Sequence, residues 1–235
     1  MPLVRLNKYL AEQGIASRRE ADRLIADGLI SVNGNVVKEM GVKVDSEKDK
    51  VSVSDKIVEI QKKLVHIALN KPIGYVASVK RTEIEKNIVL DLVKIKERIY
   101  PVGRLDKDTT GLIILTNDGT LTYKLTHPSA ECEKEYEVTV ANPINKGQLD
   151  KLKAGVKLWG EKTKETKIRQ IGTRSMRIVL TEGKNRQIRR ICQKVGLPVV
   201  RLKRIRIKNL KLGGLPEGKW RFLQPDEVES LKNGA

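Results

Sequence analysis

Histidine and cysteine are nearly absent from this 235-residue chain, with two of each. Cys132 and Cys192 match no metal-ligand spacing and are too few for a disulfide framework, which suits a reducing compartment and leaves neither with an expected chemical role. With only His66 and His127, a histidine metal site or a Ser-His-Asp triad is hard to assemble, although a single histidine could serve in either. Aromatic residues make up 3% of the chain, so rows of bases stacked on a sheet are not the expected mode of recognition. No apolar run approaches the roughly 20 residues of a spanning helix, stretches such as Gly111–Leu115 being short. The N-terminus lacks the apolar core of a signal peptide, so the expected location is the cytoplasm, away from membranes. A Gly-rich phosphate cradle of the nucleotide-binding kinds is also missing, which disfavours an ATP- or NAD-driven reaction. Catalysis, if present, falls to carboxylates and arginines.

What the chain has in excess is positive charge. Its 47 Lys and Arg against 29 Asp and Glu leave +18, a balance that favours a polyanionic partner. The length suits one ordinary domain plus a small accessory one.

Residues 3–37 read as two short helices and a hairpin. Leu6, Leu10 and Ala11 share one face of the first helix. Ser17 and Glu20 have the spacing of a capping box, Ala21, Leu24 and Ile25 form the next buried stripe, and Gly28 stands where a left-handed stop is wanted. Leu29–Val32 and Asn35–Val37 then flank Asn33-Gly34, a favoured hairpin turn. Arg5, Lys8, Arg18, Arg19 and Arg23 fall at helix starts and exposed positions suited to RNA phosphates, although a solvated helical face has the same pattern. The strings Arg5–Ala21 and Asp27–Gly34 closely resemble the S4 RNA-binding domain, a module for structured RNA. From Met40 to Lys63 the chain is charged, with Val42, Val44, Val51 and Val53 alternating as strands of the same small domain. The expected division is 1–62 and 63–235.

Beyond Leu64, strand patterns at Val65–Asn70, Leu112–Thr116, Glu135–Val140 and Met176–Leu180 are interrupted by helical stretches at Ile144–Ala154 and Asn185–Val195. That mixture predicts an α+β domain on a mostly antiparallel mixed sheet, since a βαβ alternation is absent. The stretch Tyr100–Gly119 is a charged loop feeding a buried strand and then an Asn117-Asp-Gly119 turn. Asp106 and Asp108 in such a loop are ordinary surface acids by pattern alone. The stretch as a whole resembles the signature of the RsuA/RluB-type ribosomal RNA pseudouridine synthases, in which the aspartate of Gly103-Arg-Leu-Asp106 is the nucleophile.

Three further segments agree in order. Leu69–Gly74 resembles the family's opening strand and turn, with Lys71 and Pro72 structural; Lys134–Val138 resembles the motif whose tyrosine, here Tyr136, stacks on the target base. Leu180–Arg190 resembles the motif whose basic residue, by position Arg189, pairs with the catalytic aspartate. The likeness spans about Arg5 to Phe222 and implies isomerisation of uridine to pseudouridine in structured ribosomal RNA or a pre-ribosomal particle, by a monomer. It requires neither cofactor nor metal. The large-subunit (23S) RNA is the expected substrate. Small-subunit (16S) RNA and a non-catalytic ribosome-assembly role are the alternatives. The chemistry needs an ionised aspartate, an arginine to hold it so, and an extruded base, with Arg104 filling the space that base leaves.

The segment Lys184–Lys211 carries 11 basic residues and no acidic one. Lys184, Arg186 and Arg190, followed by Arg201, Lys203, Arg204 and Arg206, are expected to contact RNA phosphates, while Leu202, Ile205 and Ile207 suggest a strand with one buried face. Two positions depart from the family pattern. Ile191 stands where methionine is common, and Lys208 where glycine often sits, which puts a lysine at a backbone conformation it resists or adds a phosphate contact.

Overall fold

The computed structural model describes residues 3–54, 56–58, 63–158 and 160–233. The chain forms two compact units, Met1–Val65 with Lys96–Arg98 and Asn117–Gly119, and His66–Ile95 with Ile99–Thr116 and Thr120–Ala235. The expected boundary at residue 62 lies outside the described residues.

In the first unit, β1 (Val4–Arg5) leads into α1 (Leu6–Glu12) and α2 (Arg18–Ala26). Then come β2 (Ile30–Val32), β3 (Asn35–Val36), β4 (Lys43–Val44), β5 (Val51–Val53) and β6 (Lys56–Ile57). Leu6, Tyr9 and Leu10 recur at helical spacing and pack with Ala21, Ile25, Ile30, Val44 and Val51. The hairpin forms as the sequence predicts, because Asn33 (φ +52°) and Gly34 (φ +83°) both take the positive angles its turn needs. Only half of the capping box is present: Ser17 Oγ accepts from the Glu20 amide at 3.2 Å, while the Glu20 carboxylate faces Arg23 at 3.7 Å. Arg5, Lys8, Arg18 and Arg19 are all exposed.

The second unit is built on a nine-stranded sheet. Its strands are β7 (His66–Lys71), β8 (Tyr100–Pro101), β9 (Thr110–Thr116), β10 (Lys134–Val140), β13 (Lys167–Gly172), β14 (Ser175–Leu180), β15 (Val199–Ile207), β16 (Leu210–Lys211) and β17 (Trp220–Phe222). The order is β13-β14-β10-β15-β9-β7-β17, with β8 on β9 and β16 on β15. Every pairing is antiparallel except β9 with β15. The short pair β11 (Lys157–Leu158) and β12 (Glu161–Lys162) stands apart from this sheet. The α+β reading with a mostly antiparallel sheet is what the structure has.

Helices α4 (Lys146–Lys153) and α5 (Gln187–Lys194) form within the stretches where their periodicity predicts them. Leu149, Leu152, Ile188 and Ile191 pack there against Val138, Met176 and Ile178. Ile191 is a packing residue only. Helix α3 (Gly119–Thr126) replaces the expected plain turn at Asn117–Gly119; Leu121 and Leu125, one turn apart, are buried with Leu112, Ile114 and Ile207. A final helix, α6 (Pro225–Asn233), buries Leu231 in the same cluster. Among the described residues no helix is long and apolar enough to cross a membrane.

Strand β15 does not present the simple apolar face its sequence suggests. Tyr136 opposes Arg204 and Glu135 opposes Arg206, so Ile205 is an extra residue at a bulge that reverses the alternation. Leu202, Arg204 and Ile207 consequently share one buried face, where the sequence suggested Leu202, Ile205 and Ile207.

Two close approaches hold the loop that precedes β9. At Gly111 (φ +104°) the parallel partner comes so near that an added Cβ would lie 2.2 Å from the Arg204 carbonyl oxygen and 2.7 Å from its amide nitrogen. At the end of β7, Lys71 is fully buried (0% exposed); its Nζ donates to the Pro72 carbonyl at 2.8 Å and the Lys107 carbonyl at 3.4 Å, while the Gly74 amide donates to Lys107 at 2.9 Å. Burial pushes the Lys71 ammonium down to about 8, against the pull of Asp108 and Asp106.

Gly111→Ala is expected to lower unfolding free energy by roughly 3 kcal/mol or more in urea melts, because both backbone angle and space exclude a side chain. Lys71 carries a pH signature of opposite sign to an ordinary surface pair. Its charged form is disfavoured in the fold, so the penalty is full below about 8 and is relieved as the pH rises to 10.5. Relative to Lys71→Met, the wild type should therefore gain stability over that window, by up to about 3 kcal/mol.

Candidate active site

The chain leaves β8, turns at Gly103 (φ +71°), buries Leu105 and reaches Asp106 before re-entering the sheet at Thr110. The Val102 amide donates to the Ile114 carbonyl at 2.8 Å and the Thr109 amide to Asp106 at 3.1 Å, closing a tight loop whose carboxylates project outward. Asp106 lies in a cleft of about 650 Å³ with Arg104, Tyr136, Lys184, Arg186 and Arg204 on its walls. That volume is within the usual range for small-ligand sites.

The cation beside Asp106 differs from the expected one. Arg186 Nη1 lies 3.7 Å from Asp106 Oδ2, and the same guanidinium grips Asp108 with both nitrogens, at 3.0 and 2.8 Å. Arg189, the residue expected to pair with Asp106, instead donates to the Asp108 carbonyl at 2.8 Å and the Val199 carbonyl at 3.3 Å, with its Nε 3.2 Å from Asp108 Oδ2. Its placement follows from the helix. Arg186 sits at the N-cap of α5 at φ +49° and is turned to the cleft, whereas Arg189, one turn later, points behind the cleft wall. The Arg186 hydrogen bonds are the main reason the Asp108 carboxyl is held below the usual range, and the Arg189 charge adds to this.

Tyr136 lies directly opposite Arg204 in the β10–β15 register, which puts both side chains on one face. Arg204 is not the surface phosphate contact expected of it. It is 2% exposed and its Nε donates to the Leu112 carbonyl at 2.7 Å. Arg206 also turns inward to Glu133 and Glu135, at 3.1 and 2.8 Å. Lys208 does occupy a left-handed conformation (φ +46°), and its Nζ donates to the Leu231 carbonyl at the end of α6, where a cation is favoured. Arg104, Arg190 and Arg201 are exposed; Lys203 is half-buried and, like Arg201, lies outside the cleft lining. Lys184 lines the cleft and meets Glu161 at 3.1 Å.

Three residues of the cleft region were not singled out from the sequence: Asp108, which engages both arginines, Thr109, whose hydroxyl is buried without a partner among the described residues, and Lys134; the last two line the cleft. Only Asp108 left a signal, as a second carboxylate two residues from Asp106 in the same loop. Asn117 is architectural, its side chain accepting from the Val65 amide at 2.8 Å and donating to the Lys63 carbonyl at 3.0 Å.

Comparison with known proteins identifies the family. The family described as RNA pseudouridylate synthase matches residues 65–194, and the S4 domain matches residues 4–51. The dual-specificity RNA pseudouridine synthase RluF of Escherichia coli K12 is 44% identical over 230 residues, covering 97% of this chain and 78% of that protein. The ribosomal large subunit pseudouridine synthase B of Bacillus subtilis is 41% identical over 235 residues, covering 97% and 95%. A crystal structure of a pseudouridylate synthase superimposes with a TM-score of 0.72 at 31% identity, covering 97% of this chain and 99% of that one. The loop that presents Asp106, the tyrosine strand and the arginine-bearing helix thus belong to a known enzyme architecture, and the chain is a member of the RNA pseudouridine synthase family, of the RluF/RluB type with an S4 domain.

Proposed function

We propose that this protein isomerises a uridine of large-subunit ribosomal RNA to pseudouridine in the cytoplasm, acting on a base extruded into the Asp106 cleft. The observation that carries this reading is the joint presence, in one cleft, of the Asp106 carboxylate, the Arg186 guanidinium 3.7 Å from it and the Tyr136 ring. The large-subunit preference draws on the Bacillus relative, whose name specifies that subunit.

In this reading Asp106 is the nucleophile. Its carboxylate bonds to C1′ as the N1–C1′ electron pair leaves with uracil; the ring turns, C5 displaces the carboxylate, and a proton is lost from C5 while N1 gains one. A stacked uridine hides these atoms, so extrusion comes first, with Tyr136 stacking on the flipped ring and Arg104 filling the vacated space. Arg186 holds Asp106 ionised and aimed, and Arg189 acts one step back, fixing the loop through Asp108. Arg5, Lys8, Arg18 and Arg19 on the small unit, with Lys184, Arg190, Arg201 and Lys203, supply phosphate contacts that bind structured RNA.

Tritium released from C5-labelled uridine reports the proton loss directly. Wild-type protein should release it from unmodified large-subunit RNA, and Asp106→Asn should lose at least ~10³-fold in rate with RNA binding intact. Release from small-subunit RNA alone would reassign the substrate; release unaffected by Asp106→Asn would exclude it as nucleophile. Arg186→Gln should reduce kcat by roughly 10–100-fold while changing stability by less than about 1 kcal/mol, because its ion pairs are well exposed.

A further inference from the structure

The cleft has a charged floor that the mechanism above leaves unused. Arg204 is 2% exposed, and its Nη2 is buried with no hydrogen-bond partner among the described residues. Its Nε alone secures it to β9, through the Leu112 carbonyl. Lys134 lines the same cleft, its Nζ donating to the Cys132 carbonyl at 3.0 Å. Burial holds the Lys134 ammonium below the ordinary lysine range, and the Arg204 charge lowers it further. Among the described residues neither cation has a carboxylate within ion-pair distance. The Thr109 hydroxyl, also on the cleft wall, is buried without a partner.

Burying a guanidinium without a counter-charge, and leaving one of its donors unpaired, is costly. A ligand acceptor placed at the cleft floor would satisfy Nη2. RNA phosphates stay solvated at the rim, where Arg104, Lys184 and Arg186 are, whereas an extruded base is the part that enters a pocket. Tyr136 flanks the same spot, opposite Arg204 in the strand register.

We infer that Arg204 is a uracil-binding residue, donating from Nη2 to a carbonyl oxygen of the flipped base and stabilising the negative charge that base takes up on detachment. This rests on the functional reading above. When the N1–C1′ pair leaves with uracil, the charge spreads onto the carbonyl oxygens. A fixed buried donor is then worth more than in the ground state. The interaction therefore appears in kcat rather than in RNA affinity.

The test uses the full-length protein with target RNA carrying uridine, 2-thiouridine or 4-thiouridine at the mapped site, sulfur being the poorer acceptor. Arg204→Lys and Arg204→Gln should each cut kcat by ~10²-fold, with RNA affinity and its salt dependence unchanged. Thiation at the contacted oxygen should slow the wild type about tenfold, and slow Arg204→Lys much less. Weaker, less salt-sensitive RNA binding at normal kcat would make Arg204 a phosphate contact and overturn the inference. Equal slowing of wild type and variant at both positions would also overturn it. Should the variants fail to fold in thermal melts, the wild-type thio series decides, since no slowing at either position excludes the contact. Wild-type inactivity on every ribosomal RNA would instead sink the functional reading, and this inference with it.

Discussion

The parallel contact between β9 and β15 is the joint on which the catalytic unit depends. Strand β9 carries the Asp106 loop at its entrance, and β15 carries Arg204 beside the Tyr136 strand. At Gly111 the two backbones come too close for a side chain between them. The remaining pairings are antiparallel, so this single crossing joins a sheet half built by β10, β13 and β14 to the half built by β7 and β17.

Charge is sorted by depth around that joint. Arg104 and Arg186 are exposed on the cleft lining, where solvent screens their charges, and Arg186 is engaged by Asp108. Arg204 is buried, where the same charge is costly. Between them, Asp106 and Asp108 sit in a loop tied down from below by Lys71 and Gly74 and from the side by Arg189. The two carboxylates are held differently: Asp108 is engaged by both arginines, whereas Asp106 has the more distant partner, Arg186 at 3.7 Å.

Of the five described non-glycine residues with positive φ, Arg186 and Lys208 hold left-handed backbone angles in the catalytic unit's α5 and β15–β16 segments at a cost of roughly 1–2 kcal/mol each. Arg186 uses that conformation to start α5 while aiming its guanidinium at the aspartates. Lys208 adopts the angle that the glycine common at its position would take freely, and its Nζ bonds a terminal carbonyl of α6. The strain at Arg186 serves the site; that at Lys208 serves the fold.

The sequence by itself determined the local structure: the Asn33-Gly34 hairpin, the helices near 146–153 and 187–194, the alternating strands and the Asp106 motif were all legible in it. Short-range sterics and periodicity decide these, and both are written in neighbouring residues. It did not disclose that Gly119 begins a helix, that Ile205 is a bulge, or that Arg204 is buried while Arg201 is exposed. Nor did it disclose which arginine meets which aspartate, since Arg186 and Arg189 read alike in a basic run, whereas in the fold Arg186 is the left-handed N-cap of α5 and Arg189 lies within the helix. These were decided by the tertiary structure, because burial and ion pairing depend on which distant strand lies alongside, and one inserted residue in β15 is enough to turn a charge from solvent into the core.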